Sequence, residues 1–139
     1  MKSPIVSLKT AKLAKEAGFN LSTKDYYGCD DPSGTTVKPN QHFHIKLQET
    51  GVFRDQSGTE IYNAPELWMM QEWLRENHEV EISAFRTIET VEGDTYGCEL
   101  EIWRDGTCYD LANIYGKSYN EVMDRAFQVS LKYIIAEKD

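Results

Sequence analysis

A chain of 139 residues is long enough to bury a core without a metal or disulfide, and a net charge of −8 argues against the basic patch that nucleic-acid binding requires. Forty per cent hydrophobic and 27% charged residues are ordinary for a soluble globular protein, here somewhat rich in Tyr and Trp. No apolar run approaches the roughly 18 residues of a membrane span, and the N-terminus has no continuous apolar core before a cleavage site, so one domain, 1–139, in the cytoplasm is expected.

Ser7 is placed to cap a helix at about 7–17, with Leu8, Ala11, Ala14 and Ala17 as its apolar stripe. Gly18 can end it in the left-handed conformation and let Phe19 fold back on the last turn. Lys9, Lys12 and Lys15 read as its solvated face. Residues 20–40 hold Asp30-Asp31-Pro32-Ser33-Gly34 and Lys38-Pro39-Asn40 with few aliphatics, which predicts an irregular loop pinned to the body by Tyr26 and Tyr27. The alternation Phe43, Ile45, Leu47 against His42, His44, Lys46 predicts a strand at about 42–48. Short strands at Val52–Arg54 and Glu60–Tyr62 would flank a turn at Asp55-Gln56-Ser57-Gly58.

Asn63 and Glu66 form a capping-box pattern, Pro65 falls in a first turn, and Leu67, Met70, Trp73 and Leu74 recur at helical spacing, which places a helix at about 64–77. Trp68 and Met69 widen the stripe beyond one face. Either the helix is buried on two sides, or Trp68 or Trp73 is partly exposed and anchors a partner.

A three-stranded antiparallel meander is expected at about 79–113, with strand 42–48 as a candidate extension. Val80 and Ile82 open it, and Glu92-Gly93-Asp94 is its first turn. Tyr96, Cys98, Leu100 and Ile102 alternate with Gly97, Glu99, Glu101 and Trp103, and Asp105-Gly106 is a two-residue hairpin signal. That loop puts Trp103 opposite Cys108 and Ile102 opposite Tyr109, so Cys98 and Cys108 project from opposite faces and cannot form a disulfide. With Cys29, the cysteines are odd in number and form no CxxC pair, the pattern of free thiols. The first hairpin is open. A two-residue loop would put Phe85 on the Ile102 face, a three-residue loop would put Ile82, Ala84 and Ile88 there and keep more aliphatics together, and a bulge near Phe85 could satisfy both. Ser118 and Glu121 make a capping box for a helix at about 118–136, whose stripe of Val122, Met123, Ala126, Phe127, Ser130, Leu131, Ile134 and Ile135 would cover the sheet. The fold class is α+β, with the meander packed by helices at about 7–17, 64–77 and 118–136.

Recognisable chemistry is sparse. His42 and His44 share a strand face and could draw a third ligand from Cys29, Asp30 or Asp31, but a solvated strand beside a polar loop explains them, and no metal is expected. His78 near a helix end most simply complements the dipole and last carbonyls. Glu99 and Glu101 share an outward strand face, and with Glu79, Glu81 and Glu89 read as a solvated acidic surface rather than a catalytic pair. The acids beside Cys29 disfavour its thiolate. There is no phosphate loop, GxGxxG, HExxH or GxSxG, so neither a cofactor nor enzymatic activity is expected.

The segments AKLAKEAGFN (11–20), YNAPELWMMQEWLRENHEVEI (62–82) and YGKSYNEVMDRAFQVSLKYI (115–134), in this order, resemble a family of short, functionally uncharacterised proteins from phages and prophages of gut bacteria. Those proteins carry an AKLAKEKGF-like start, then YNSPTQSLLQKWLRE-HNI, and close with YGTYEEALE-GL-EALKLI. Here Glu66-Leu67-Trp68-Met69-Met70 replaces the Thr-Gln-Ser-Leu-Leu run, and Tyr133 precedes the closing Ile. The resemblance implies a phage or mobile-element origin and expression in the host cytoplasm. It implies no mechanism.

Two function classes follow. One is a small acidic protein that binds and modulates a host or defence protein, with Trp68, Trp103, Tyr26 and Tyr27 as partner-binding candidates. The other is a binder of a small molecule such as a signalling nucleotide, or a minor enzyme, using Lys46, Arg54, Arg86 and Arg104, with a pocket that a homo-oligomer could complete.

Overall fold

The computed structural model describes residues 3–29, 37–39, 46–47, 53–54, 61–87, 93 and 95–138. They form two compact units, one of Ile5–Pro65 and one of Met1–Pro4 with Glu66–Asp139. The mixed α+β class holds, and its strands pair antiparallel.

The Ile5–Pro65 unit opens with helix α1 (Leu8–Glu16). Ser7 Oγ accepts from the Thr10 N–H at 3.3 Å. At the other end Gly18 takes φ 103°, its N–H reaching the Lys15 carbonyl while the Phe19 N–H reaches that of Ala14. This is the left-handed ending expected from Gly18, and Phe19 is buried on it. Strands β1 (Asp25–Cys29), β2 (Val37–Pro39) and β5 (Ile61–Ala64) form a sheet in the order β2-β1-β5, while β3 (Lys46–Leu47) and β4 (Phe53–Arg54) pair with each other. Helix α1 covers β5 here, burying Ala11, Ala14 and Ile61.

Two expectations fail in this unit. The stretch 20–40 is not all loop, because β1 and β2 lie within it. Tyr26 and Tyr27 suit a strand, and Ile61–Ala64 gives them an antiparallel partner far along the chain. Of the strand expected at 42–48, the described residues Lys46 and Leu47 pair with Arg54 and Phe53 rather than with the meander. His42, His44, Asp30, Asp31 and the Asp55–Gly58 turn lie outside the described residues. Tyr27 pins β1 as expected, its hydroxyl donating to the Val6 carbonyl at 2.8 Å. Lys12 and Lys15 are not simply solvated. Both ammonium groups lie over the Tyr62 ring, at 5.5 and 4.7 Å, and Lys15 also donates to the Ile61 carbonyl.

The second unit contains α2 (Leu67–His78), β6 (Val80–Arg86), β7 (Tyr96–Arg104), β8 (Thr107–Gly116) and α3 (Tyr119–Glu137). Helix α2 starts later than its capping pattern predicts. Asn63 belongs to β5, paired with Tyr26 and donating from its amide to the Leu21 carbonyl, and Glu66 takes the N-cap position without a side-chain cap bond. Pro65 explains the shift, since the residue before a proline is driven out of the helical region and Ala64 stays extended. The Leu67 N–H, orphaned at the helix start, donates to the Pro4 carbonyl at 3.1 Å.

Strands β6, β7 and β8 form the expected meander. Asp105 and Gly106 both take positive φ, 54° and 77°, the signature of a type I′ turn, and Trp103 faces Cys108 as predicted. Cys98 is buried and Cys108 exposed, both free, on opposite faces. In the first hairpin Ile82 and Ala84 oppose Leu100 and Cys98, which puts them on the Ile102 face and Phe85 on the other. Ile88 and most of the connecting turn lie outside the described residues.

Strand β8 runs past its predicted end because of a bulge. Glu101 pairs with Asp110 but Leu100 pairs with Ala112, leaving Leu111 extra. Without that residue Asn113 would point at the core. With it, Ile114 does, and Ile114 is buried. Helix α3 lies against all three strands and α2. Ser118 Oγ accepts from the Glu121 N–H, and the buried stripe is Val122, Met123, Ala126, Phe127, Ser130, Leu131 and Ile134.

Candidate functional site

Helix α3 covers one face of the meander. The other face is built by the pleat in cross-strand rows. Glu81, Glu101 and Asp110 form one row, Ser83, Glu99 and Asn113 the next, and Phe85, Gly97 and Tyr115 a third. Trp103 and Cys108 lie at the opposite end. Ser83, Phe85, Glu99, Trp103, Cys108, Asp110, Asn113 and Tyr115 are all exposed.

Three carboxylates in one row are unfavourable, because like charges directly opposite repel. One is compensated: Arg75 Nε lies 3.0 and 3.1 Å from the two oxygens of Glu81. Glu101 accepts a weak bond from the Cys108 thiol at 3.4 Å. The Cys108 thiol is pushed up by desolvation, by that bond and by the Glu101 and Asp110 charges, and burial pushes Cys98 up to about 11. Neither is a ready thiolate at neutral pH.

Aromatic groups bracket the acidic rows. At one end the Phe85 and Tyr115 rings meet edge-on, centroids 6.3 Å apart, across Gly97. A Cβ on Gly97 would come within 2.9 Å of both rings, so glycine allows the aromatics to close over the strand. At the other end Trp103, 42% exposed, joins Arg75, Glu79, Glu81 and Gly106 around an open cavity of about 310 Å³.

The partner candidates separate. Trp73 is buried, its ring 4.7 Å from that of His78, while Trp68 is 55% exposed with its indole N–H bonded to Glu66. Of the two tryptophans, Trp68 is therefore the exposed one. Trp68 and Arg75 are seven residues apart, which puts them on one stripe of α2 about 10 Å apart. Trp68→Ala is expected to leave the melting temperature nearly unchanged in a calorimetric scan, since little burial is lost. A fall of several degrees would contradict that exposure. Tyr26 and Tyr27 are partly buried in the other unit.

The basic candidates do not assemble. Arg86, over the Tyr96 ring, and Arg104 lie at opposite ends of β7, roughly 27 Å apart at strand rise. Arg104 is fully engaged: Nε and Nη2 bind the Glu137 carboxylate at 3.0 and 2.7 Å, and Nη1 binds the carbonyls of His78 and Trp103, each at 2.7 Å. Arg104 thus caps the His78 carbonyl at the end of α2, while Asn77 Nδ2 donates to the Trp73 carbonyl and the Glu79 N–H to that of Leu74. Burial and the charges of Arg104 and Lys138 hold the His78 imidazole below its ordinary range. Lys46 and Arg54 face each other in the β3–β4 ladder of the other unit.

Among the described residues no group of three His, Cys, Asp or Glu could hold a metal ion, and no helix is long and apolar enough to cross a membrane. Sequence reasoning missed Arg75, Glu79 and Glu81 as one wall. The recurrence of Glu at 79, 81, 99 and 101 was the available signal, legible as a charged face but not as a cavity beside Trp103. No protein-family model, curated protein or solved structure matches the chain.

Proposed function

We propose that this chain is a small acidic binding protein rather than an enzyme, and that it modulates a host or defence protein by docking the outward face of its meander onto a basic surface. A phage or mobile-element product working in the host cytoplasm would act in this way. The observation that carries the reading is the Glu81–Glu101–Asp110 row, set between Trp103 and the Phe85–Tyr115 pair. Repulsion within that row works against the isolated fold, and a partner's Lys and Arg side chains would relieve it. The acidic rows supply steering and orientation. The exposed aromatics supply the apolar anchors that dominate binding energy. The nucleotide-binding alternative gains no such support, because Arg86 and Arg104 cannot meet on one small ligand.

Reversing charge at Glu99→Lys and Glu101→Lys tests this. Both side chains reach solvent, so stability should change by only about 0.5 kcal/mol. Immobilised protein is expected to retain a host protein from bacterial lysate, to release it at high salt, and to lose it in the double variant. Equal retention by the double variant would overturn the reading.

A further inference from the structure

We infer that the cavity beside Trp103 is a receptor for one arginine side chain of the docked protein, a proposal that rests on the outward face being the docking surface. Its lining sets two carboxylates, Glu79 and Glu81, against one guanidinium, Arg75. The wall is net negative and already holds a planar cation, since Arg75 sits on both oxygens of Glu81. The Glu79 carboxylate makes no side-chain hydrogen bond among the described residues and acts on Arg104 through its charge alone, so its oxygens can accept from a second guanidinium.

Trp103 supplies the other half of the recognition. Its half-exposed side chain lines the cavity, and indole is the ring on which a guanidinium stacks best. The space beside Gly106 at the cavity wall is open, since a Cβ there would meet nothing within 4 Å. A volume of about 310 Å³ is at the low end for small-molecule sites and suits a single side chain. Arginine fits better than lysine, since only a planar group can stack on indole while donating two parallel bonds to a carboxylate. The positive charge of Arg75 sets the pose: the incoming guanidinium enters on the Glu79 side, away from Glu81.

The test is a residue-resolved NMR titration of the whole chain with an arginine-rich peptide, its citrulline counterpart and its lysine counterpart. With the arginine peptide, the Trp103 indole and Gly106 amide signals are expected to shift and saturate. With citrulline, which keeps the shape and loses the charge, they should stay still, and lysine should bind more weakly. Trp103→Leu and Glu79→Gln are each expected to weaken the arginine peptide about tenfold, equivalent to about 1.4 kcal/mol. Shifts at Glu99 and Asn113 without shifts at Trp103 and Gly106 would overturn the receptor and leave the docking face standing. No shift anywhere on the face, or equal shifts with citrulline, would overturn both.

Discussion

Phe127→Ala is expected to destabilise the protein by about 3–5 kcal/mol, the cost of emptying a buried aromatic site. Phe127 has no solvent exposure and lies in the middle of the α3 stripe, with Met123 and Leu131 one turn to either side and equally buried. The helix rests on all three strands and on α2, so the void would border several elements and could not collapse by moving one side chain. A loss of this size is a large fraction of the roughly 5–15 kcal/mol that holds a domain folded. A thermal scan should show the midpoint falling by about 10 °C or more. A fall of only a degree or two would mean that α3 does not rest on the sheet as described.

Arg104→Ala should cost about 2–3 kcal/mol, because one guanidinium serves three elements. It pairs with Glu137 at the end of α3, caps the His78 carbonyl at the end of α2, and ties both to the end of β7. Its removal leaves that carbonyl without its donor and the carboxylate without its cation. The same pair predicts a pH dependence. The hydrogen bond from Arg104 holds the Glu137 carboxyl below its ordinary range. A carboxylate with a lowered folded value stabilises the fold fully above its ordinary range, and the contribution is lost as pH falls through the lowered value. Wild type should therefore be more stable than Glu137→Gln at neutral pH, and the gap should close only in acid below the ordinary glutamate range. A gap that persists unchanged there would show that the carboxylate's charge is not what Arg104 holds.

The legible parts of the fold are those in which neighbours in sequence cooperate. Ser7 and Gly18 bound α1, Ser118 starts α3, and Asp105-Gly106 sets the second hairpin, because each acts within a few residues of itself. The apolar stripe of α3 and the alternation of β7 give their buried faces for the same reason. Even the opposition of Glu101 and Asp110 follows from the two-residue loop.

Where local and distant preferences competed, the tertiary structure decided. Asn63 is a good cap by its own chemistry, yet pairing with Tyr26 and the proline two residues on keep it in a strand. The bulge at Leu111 leaves no mark in the alternation that precedes it, and appears only when β8 must turn Ile114 rather than Asn113 toward α3. The candidate site belongs to this second kind. Sequence alone determined an acidic, aromatic-rich α+β chain with Trp103 on the outer face of a hairpin. That Arg75, Glu79 and Glu81 gather around that tryptophan, and that Arg104 is spent on structure, depended on the packing of α2 and α3 against the meander, because these contacts join residues whose separation in sequence carries no local signal.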